Sequence, residues 1–201
     1  MEKDESFRGC YSGAAYATAD GVVNSILHYV KRWPRRERIA GADLFEAILS
    51  LGTNDRKLRC FFFGADEATL VNMKQRIRLD YPYVSVVGCI SPPYTDTGIN
   101  DADRSYVEAI NVASPDVLFV GLTQPKQERW VHENFSNLNT PVTACIGAVF
   151  DFYAGNKVRA PTYIRKLGLE WLVRLVQNPV KIAGRFRYAL PVLWRLILSG
   201  R

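Results

Sequence analysis

The chain has 201 residues, 48% of them hydrophobic and 23% charged, which is ordinary for a soluble globular protein and long enough for one full domain with a modest extension. Its net charge of +6 is unevenly placed: residues 157–201 hold ten Lys or Arg against a single acid, Glu170, a local +9 that leaves −3 for the remainder. No apolar stretch reaches the roughly 20 residues that a membrane-spanning helix needs, and MEKDESFRGC has no apolar core of the kind a signal peptide carries, so the expected location is cytoplasmic, with an anionic partner for the basic end.

In chain order, Asp20 comes first, in ATADGVV, where Asp-Gly reads either as an acidic helix cap or as part of a site. Arg59–Phe63 is a short apolar run ending at Gly64, and Asp66–Leu79 is an amphipathic stretch. Val84–Val87 is the next apolar run, ending at Gly88, with the loop SPPY after it. Asp101–Ala113 reads as a helix, Val117–Val120 as a strand ending at Gly121, Lys126–Phe135 as a helix and Val142–Ile146 as a strand. Short strands apolar on both faces, separated by helices, predict an α/β fold: a Rossmann-like parallel sheet covered on both sides. Such sheets bind ligands outside the carboxyl ends of their strands, where this reading places Gly64, Gly88, Gly121 and Gly147.

The chain then changes character, and the expected division is a Rossmann-like domain over 1–156 and a basic helical appendage over 157–201. Ile164, Leu167, Leu172, Leu175 and Val176 recur at helical spacing with Arg165, Lys166 and Arg174 between them. Beyond Pro179, Lys181, Arg185, Arg187 and Arg195 alternate with Phe186, Tyr188, Trp194 and leucines. Basic amphipathic helices with interfacial aromatics commonly lie on anionic membrane surfaces; a helix packed on the domain with a solvated arginine rim is the other reading. Nucleic acid is not expected, since no RNA- or DNA-binding motif occurs.

Four cysteines, Cys10, Cys60, Cys89 and Cys145, show neither CxxC nor metal-type spacing and read as structural free thiols. His28 and His132 are too isolated to pair. Asp101-Ala102-Asp103 matches a metal-holding DxD, but acids in a helix's first turn explain it without a metal; no metal or other cofactor is expected. Asp151, flanked by aromatics in GAVFDFYAG just past a strand, must sit in a cleft or be hydrogen-bonded. In GLTQPKQERW, Pro125 suits the first helical turn and Gln127 falls near the strand ends.

Several of these stretches together resemble the WecG/TagA/CpsF family of glycosyltransferases. They are Asp20-Gly21, ERIAGADLF (37–45), FFFGAD (61–66), VVGCISPPY (86–94), PDVLFVGLTQPKQERW (115–130) and GAVFDFYAGNKVRAPTYIRKLGLEWLVRLVQNP (147–179). The resemblance implies an inverting, metal-independent enzyme at the inner face of the cell membrane. It would move a sugar (of the N-acetylmannosamine type, glucose or a uronic acid) from a UDP-sugar to a polyprenyl-diphosphate-linked acceptor, in exopolysaccharide, common-antigen or teichoic acid synthesis. Asp20 matches the family's general base, and Arg38 and Gln127 match active-site positions. Asp151 matches an acid associated with the donor, and Tyr94 lies beside the nucleotide. Arg174, Lys181 and Arg185 fall in the appendage that closes over the site. The family's Thr-x-Asn segment would precede Met1, so the resemblance implies an N-terminally short member. Lys181 stands where arginine is common, and GLTQPKQE where GLGxPKQE is usual. The partners implied are the donor, the lipid-linked acceptor and an anionic membrane, with self-association left open. The rival reading is a catalytically degenerate membrane-associated partner in a polysaccharide assembly complex.

Overall fold

In the computed structural model the described residues are 5–18, 39–93 and 103–156. All but residues 18, 39 and 40 belong to one compact unit. Its elements run α1 (Glu5–Ser12), α2 (Gly41–Leu49), β1 (Leu58–Gly64), α3 (Glu67–Asp80), β2 (Val84–Ile90), α4 (Asp103–Ala113), β3 (Val117–Gly121), α5 (Lys126–Asn134), a 3-10 turn (Phe135–Asn137), β4 (Val142–Cys145) and α6 (Val149–Tyr153). The basic segment 157–201 lies outside the described residues.

The four strands form one all-parallel sheet in the order β2-β1-β3-β4. Alternation along β1 and β3 sorts the core into two layers. Cys60, Phe62, Val117 and Phe119 face one side, with Phe45 and Leu49 of α2, Leu70, Met73 and Ile77 of α3, and Val149 and Phe150 of α6. Phe61, Phe63, Leu118 and Val120 face the other, with Val107 and Ile110 of α4 and Trp130 of α5. The first layer is aromatic: Phe62 and Phe119 stack with centroids 5.5 Å apart, and the Phe45 and Phe150 rings meet that pair edge-on. Edge contacts between rings add to what burial alone supplies. A sheet buried on both faces explains why these strands read as unbroken apolar runs.

Local chemistry sets the element ends. Asp66 caps α3: its carboxylate accepts from the Thr69 N–H at 2.7 Å, which holds its acid constant below the usual carboxylate value. β2 runs on to Ile90, so Gly88 does not end the strand as its sequence context suggested. It lies inside β2 at a bulge, where Cys60 pairs with Val86 but Phe61 pairs with Gly88. A Cβ at Gly88 would stand 2.2 Å from the Phe61 ring, so the glycine gives the aromatic its place against β2.

Gly121 has the same role at the end of β3, where a Cβ would fall 2.2 Å from the Phe150 ring. Phe150 is held by the stacked core and has little room to yield. Gly121→Ala should therefore lower unfolding free energy by about 1–3 kcal/mol, the usual range for overpacking, read from urea denaturation. Combined with Phe150→Leu, the loss should be smaller than the two single losses added; strict additivity would show that the ring contact does not set the cost.

Candidate functional site

The strand order creates the site. From β1 the chain moves outward to β2, then returns to β3 on the other flank of β1. The loops after β1 and β3 thus leave adjacent strands toward opposite layers, the topological switch point at which open α/β sheets bind ligands. Gly64 and Gly121 pair there, and Gly64 has φ +119°, which an L side chain rarely adopts. A Cβ on Gly64 would come within 2.7 Å of the Gly121 backbone, so the crevice floor is bare main chain. Ser91, just past β2, donates its hydroxyl to the Ala65 carbonyl at 2.7 Å and ties that strand end to the post-β1 loop.

Gln127 belongs to this edge. It lies in the first turn of α5 and is only 5% exposed. Its Oε1 accepts from the Gly147 N–H at 2.9 Å, while its Nε2 donates to Glu128 Oε1 at 2.9 Å. Gly147 has φ +59° and begins the turn from β4 into α6. The buried amide therefore joins the loop after β3 to the loop after β4, an arrangement that the sequence indicated only as proximity to the strand ends.

Asp151 is half-buried in the first turn of α6, four residues past that junction. The far end of α6 is fixed to α3. Tyr153 donates its hydroxyl to Asp80 Oδ2 at 2.9 Å, Arg76 donates to the Tyr153 carbonyl at 2.9 Å, and the guanidinium lies 5.0 Å from the Tyr153 ring centre. Burial and then the Asp80 bond push the Tyr153 acid constant far up, so the phenol keeps its proton. Just beyond, Asn156 donates to the buried Thr69 hydroxyl at 2.6 Å. Asp151 is thus carried on a short helix clamped at both ends.

Three residues at this edge were not singled out by sequence reasoning. Gln124 of the post-β3 loop donates to the Tyr11 hydroxyl at 2.8 Å, linking it to α1 across 113 positions. Burial and the nearby Glu128 charge raise the Tyr11 acid constant. Glu128 is the third; its carboxylate lies between Gln127, α1 and the end of β4. His132 is a packing residue, its ring facing Gly9 of α1 and Gly13 just past that helix. The cysteines are all free thiols. Burial pushes Cys60 and Cys145 up to about 12, with Glu128 adding to the second, so both stay protonated at neutral pH.

The structure thus brings Gln127 and Asp151 to neighbouring strand ends. Asp20, Arg38, Tyr94, Arg174, Lys181 and Arg185 lie outside the described residues, as does Asp101. Asp103 opens α4. Among the described residues no group of three or more His, Cys, Asp or Glu is placed to hold a metal, and no helix is long and apolar enough to cross a membrane.

Comparison of the sequence with known proteins identifies the family. The family described as Glycosyl transferase WecG/TagA/CpsF matches residues 1–201. Among similar proteins is the N-acetylglucosaminyldiphosphoundecaprenol N-acetyl-beta-D-mannosaminyltransferase of Bacillus spizizenii, 30% identical over 193 residues, 96% of this chain and 68% of that protein. The Bacillus subtilis protein of the same name is 31% identical over 195 residues, 95% of this chain and 73% of the relative. That of Staphylococcus aureus is 30% identical over 190 residues, 94% and 70% of the two chains. The residues that carry the resemblance in the sequence, the parallel sheet they build and the match along the whole chain converge: the protein belongs to the WecG/TagA/CpsF family of glycosyltransferases.

Proposed function

We propose that the chain transfers N-acetylmannosamine from its UDP derivative to a polyprenyl-diphosphate-linked N-acetylglucosamine acceptor, with inversion at the anomeric carbon, in teichoic acid or related cell-surface polysaccharide synthesis. The observation that carries this reading is the similarity to the mannosaminyltransferases over at least 94% of the chain. Their β-configured product fits inversion of an α-linked nucleotide sugar. The sequence alone left glucose and uronic acid donors open as well.

In this reading the nucleotide lies on the bare main chain around Gly64 and Gly121, beside Gln127 and Asp151, and Tyr94 is a contact that the family resemblance implies. Asp20 removes the proton of the acceptor hydroxyl as its oxygen attacks the anomeric carbon, and UDP departs with the bonding electrons. Arg38 is a further active-site residue that the family resemblance implies. Arg174, Lys181 and Arg185 bear on the leaving diphosphate, whose growing charge fixed cations stabilise. No metal is needed in this reading, since an acid in a helix's first turn has an explanation without an ion.

Three measurements test this. Asp20→Asn should leave the fold and UDP binding intact but slow transfer by about two to four orders of magnitude, the contribution of a positioned base; turnover equal to the parent protein's would remove Asp20 from that role. EDTA should leave transfer unchanged, whereas complete loss restored by Mg²⁺ or Mn²⁺ would bring Asp101 and Asp103 into the site. The basic end should hold the enzyme to its lipid substrate, each cation near an anionic surface contributing about 1 kcal/mol. Deleting 180–201 should then abolish binding to phosphatidylglycerol vesicles and sharply reduce transfer to the lipid acceptor; unchanged vesicle binding would contradict the membrane role.

A further inference from the structure

Glu128 presents an unusual carboxylate. Its Oε1 accepts the Gln127 side-chain amide at 2.9 Å, while its Oε2 is buried and has no hydrogen-bond partner among the described residues. A buried charged oxygen without a donor carries an uncompensated desolvation cost, which a leucine at the same place would avoid. An acid kept at such a place acts on what it touches, and it touches Gln127.

A glutamine amide can present either end to a neighbour. Gly147 offers an N–H, so only the Gln127 carbonyl end completes the bond to the turn after β4. That orientation leaves the Gln127 NH₂ pointing away from Gly147 and in need of an acceptor in a buried place. An ionised carboxylate only accepts, so it holds the amide in this one orientation. A residue able to donate as well would let the amide turn round. Because the acceptor is ionic, the Gln127–Glu128 bond is charge-assisted and stronger than a bond between neutral groups.

We propose that Glu128 is a positioning residue: it locks the orientation of the Gln127 amide, which fixes the turn at Gly147 and so the placement of Asp151. The catalytic part of this inference rests on the proposed function, but the lock does not. The same carboxylate adds to burial in raising the acid constants of Tyr11 and Cys145, which places its charge near α1 and β4.

The test uses Glu128→Leu and Glu128→Gln in the full chain. Hydrogen exchange of residues 146–153 is read beside steady-state transfer from UDP-N-acetylmannosamine to an N-acetylglucosaminyl-diphospholipid. Glu128→Leu should melt no lower than the parent protein, because the buried orphan oxygen is gone. Its Gly147 amide should nevertheless exchange about tenfold faster, the equivalent of one weakened hydrogen bond. Turnover should fall by about 10- to 100-fold through misplacement, with KM for the lipid acceptor unchanged. Glu128→Gln, which keeps an accepting oxygen but can turn, should fall between the two. Parent-like exchange at Gly147 in Glu128→Gln overturns the proposal, even if the leucine variant fails to fold. So does a leucine variant that melts lower while exchange and turnover per folded molecule stay at parental values. If the parent protein transfers no sugar, the proposed function fails and the exchange rates still decide the lock.

Discussion

Burial of both faces of β1 and β3 is the constraint from which the rest of the described structure follows. Phe61 and Phe63 fill one layer while Cys60 and Phe62 fill the other, so helices must cover the sheet on each side. Parallel pairing in turn requires a helical crossover between successive strands. With both faces occupied, the strand ends are where main chain remains open to a ligand. The glycines serve this arrangement. Gly88 and Gly121 give aromatic rings room against the backbone, and Gly64 lets β1 and β3 approach where their loops part.

Strand ends held only by a hydrophobic core would leave their loops loosely defined, because packing does not fix the direction of a turn. Polar bonds of long sequence separation supply that definition. Ser91 reaches Ala65, Gln127 reaches Gly147, Gln124 reaches Tyr11, and Arg76 with Asp80 holds Tyr153. Three of them join the loop or helix after one strand to that after another, and the Gln124 bond joins the loop after β3 to α1. Side chains held in fixed pairs lose little further freedom when a ligand arrives, which is the physical meaning of a preorganised site.

The sequence revealed the sheet because its signal is local. FFF and VLFV admit few structures other than strands buried on both faces, and Asp66 marks its helix start by chemistry alone. Gly88 misled because a glycine after an apolar run looks like a strand end; only the pairing with Phe61 shows the bulge. α1 and α2 carried too short a pattern to be read as helices. Gln127 and Asp151 were legible from their place beside the strand ends and then from the family's motifs, but spacing alone could not show that the Gln127 amide turns toward Gly147. Glu128 escaped notice because an acid in a helix's first turn already has a sufficient explanation in the helix dipole. Tyr11 and Arg76 act across 77 to 113 positions, beyond any pattern in sequence.

The central claim is that the sugar nucleotide is held at the carboxyl ends of the parallel strands, on the loops that these polar bonds define. The most direct measurement is amide hydrogen exchange of the intact protein with and without saturating UDP. Slowed exchange is predicted at residues 64–66, 121–128 and 147–151, with rates unchanged at the opposite end of the sheet, residues 114–116 and 139–142. Protection confined to that opposite end, or no protection anywhere under saturating nucleotide, would contradict the account.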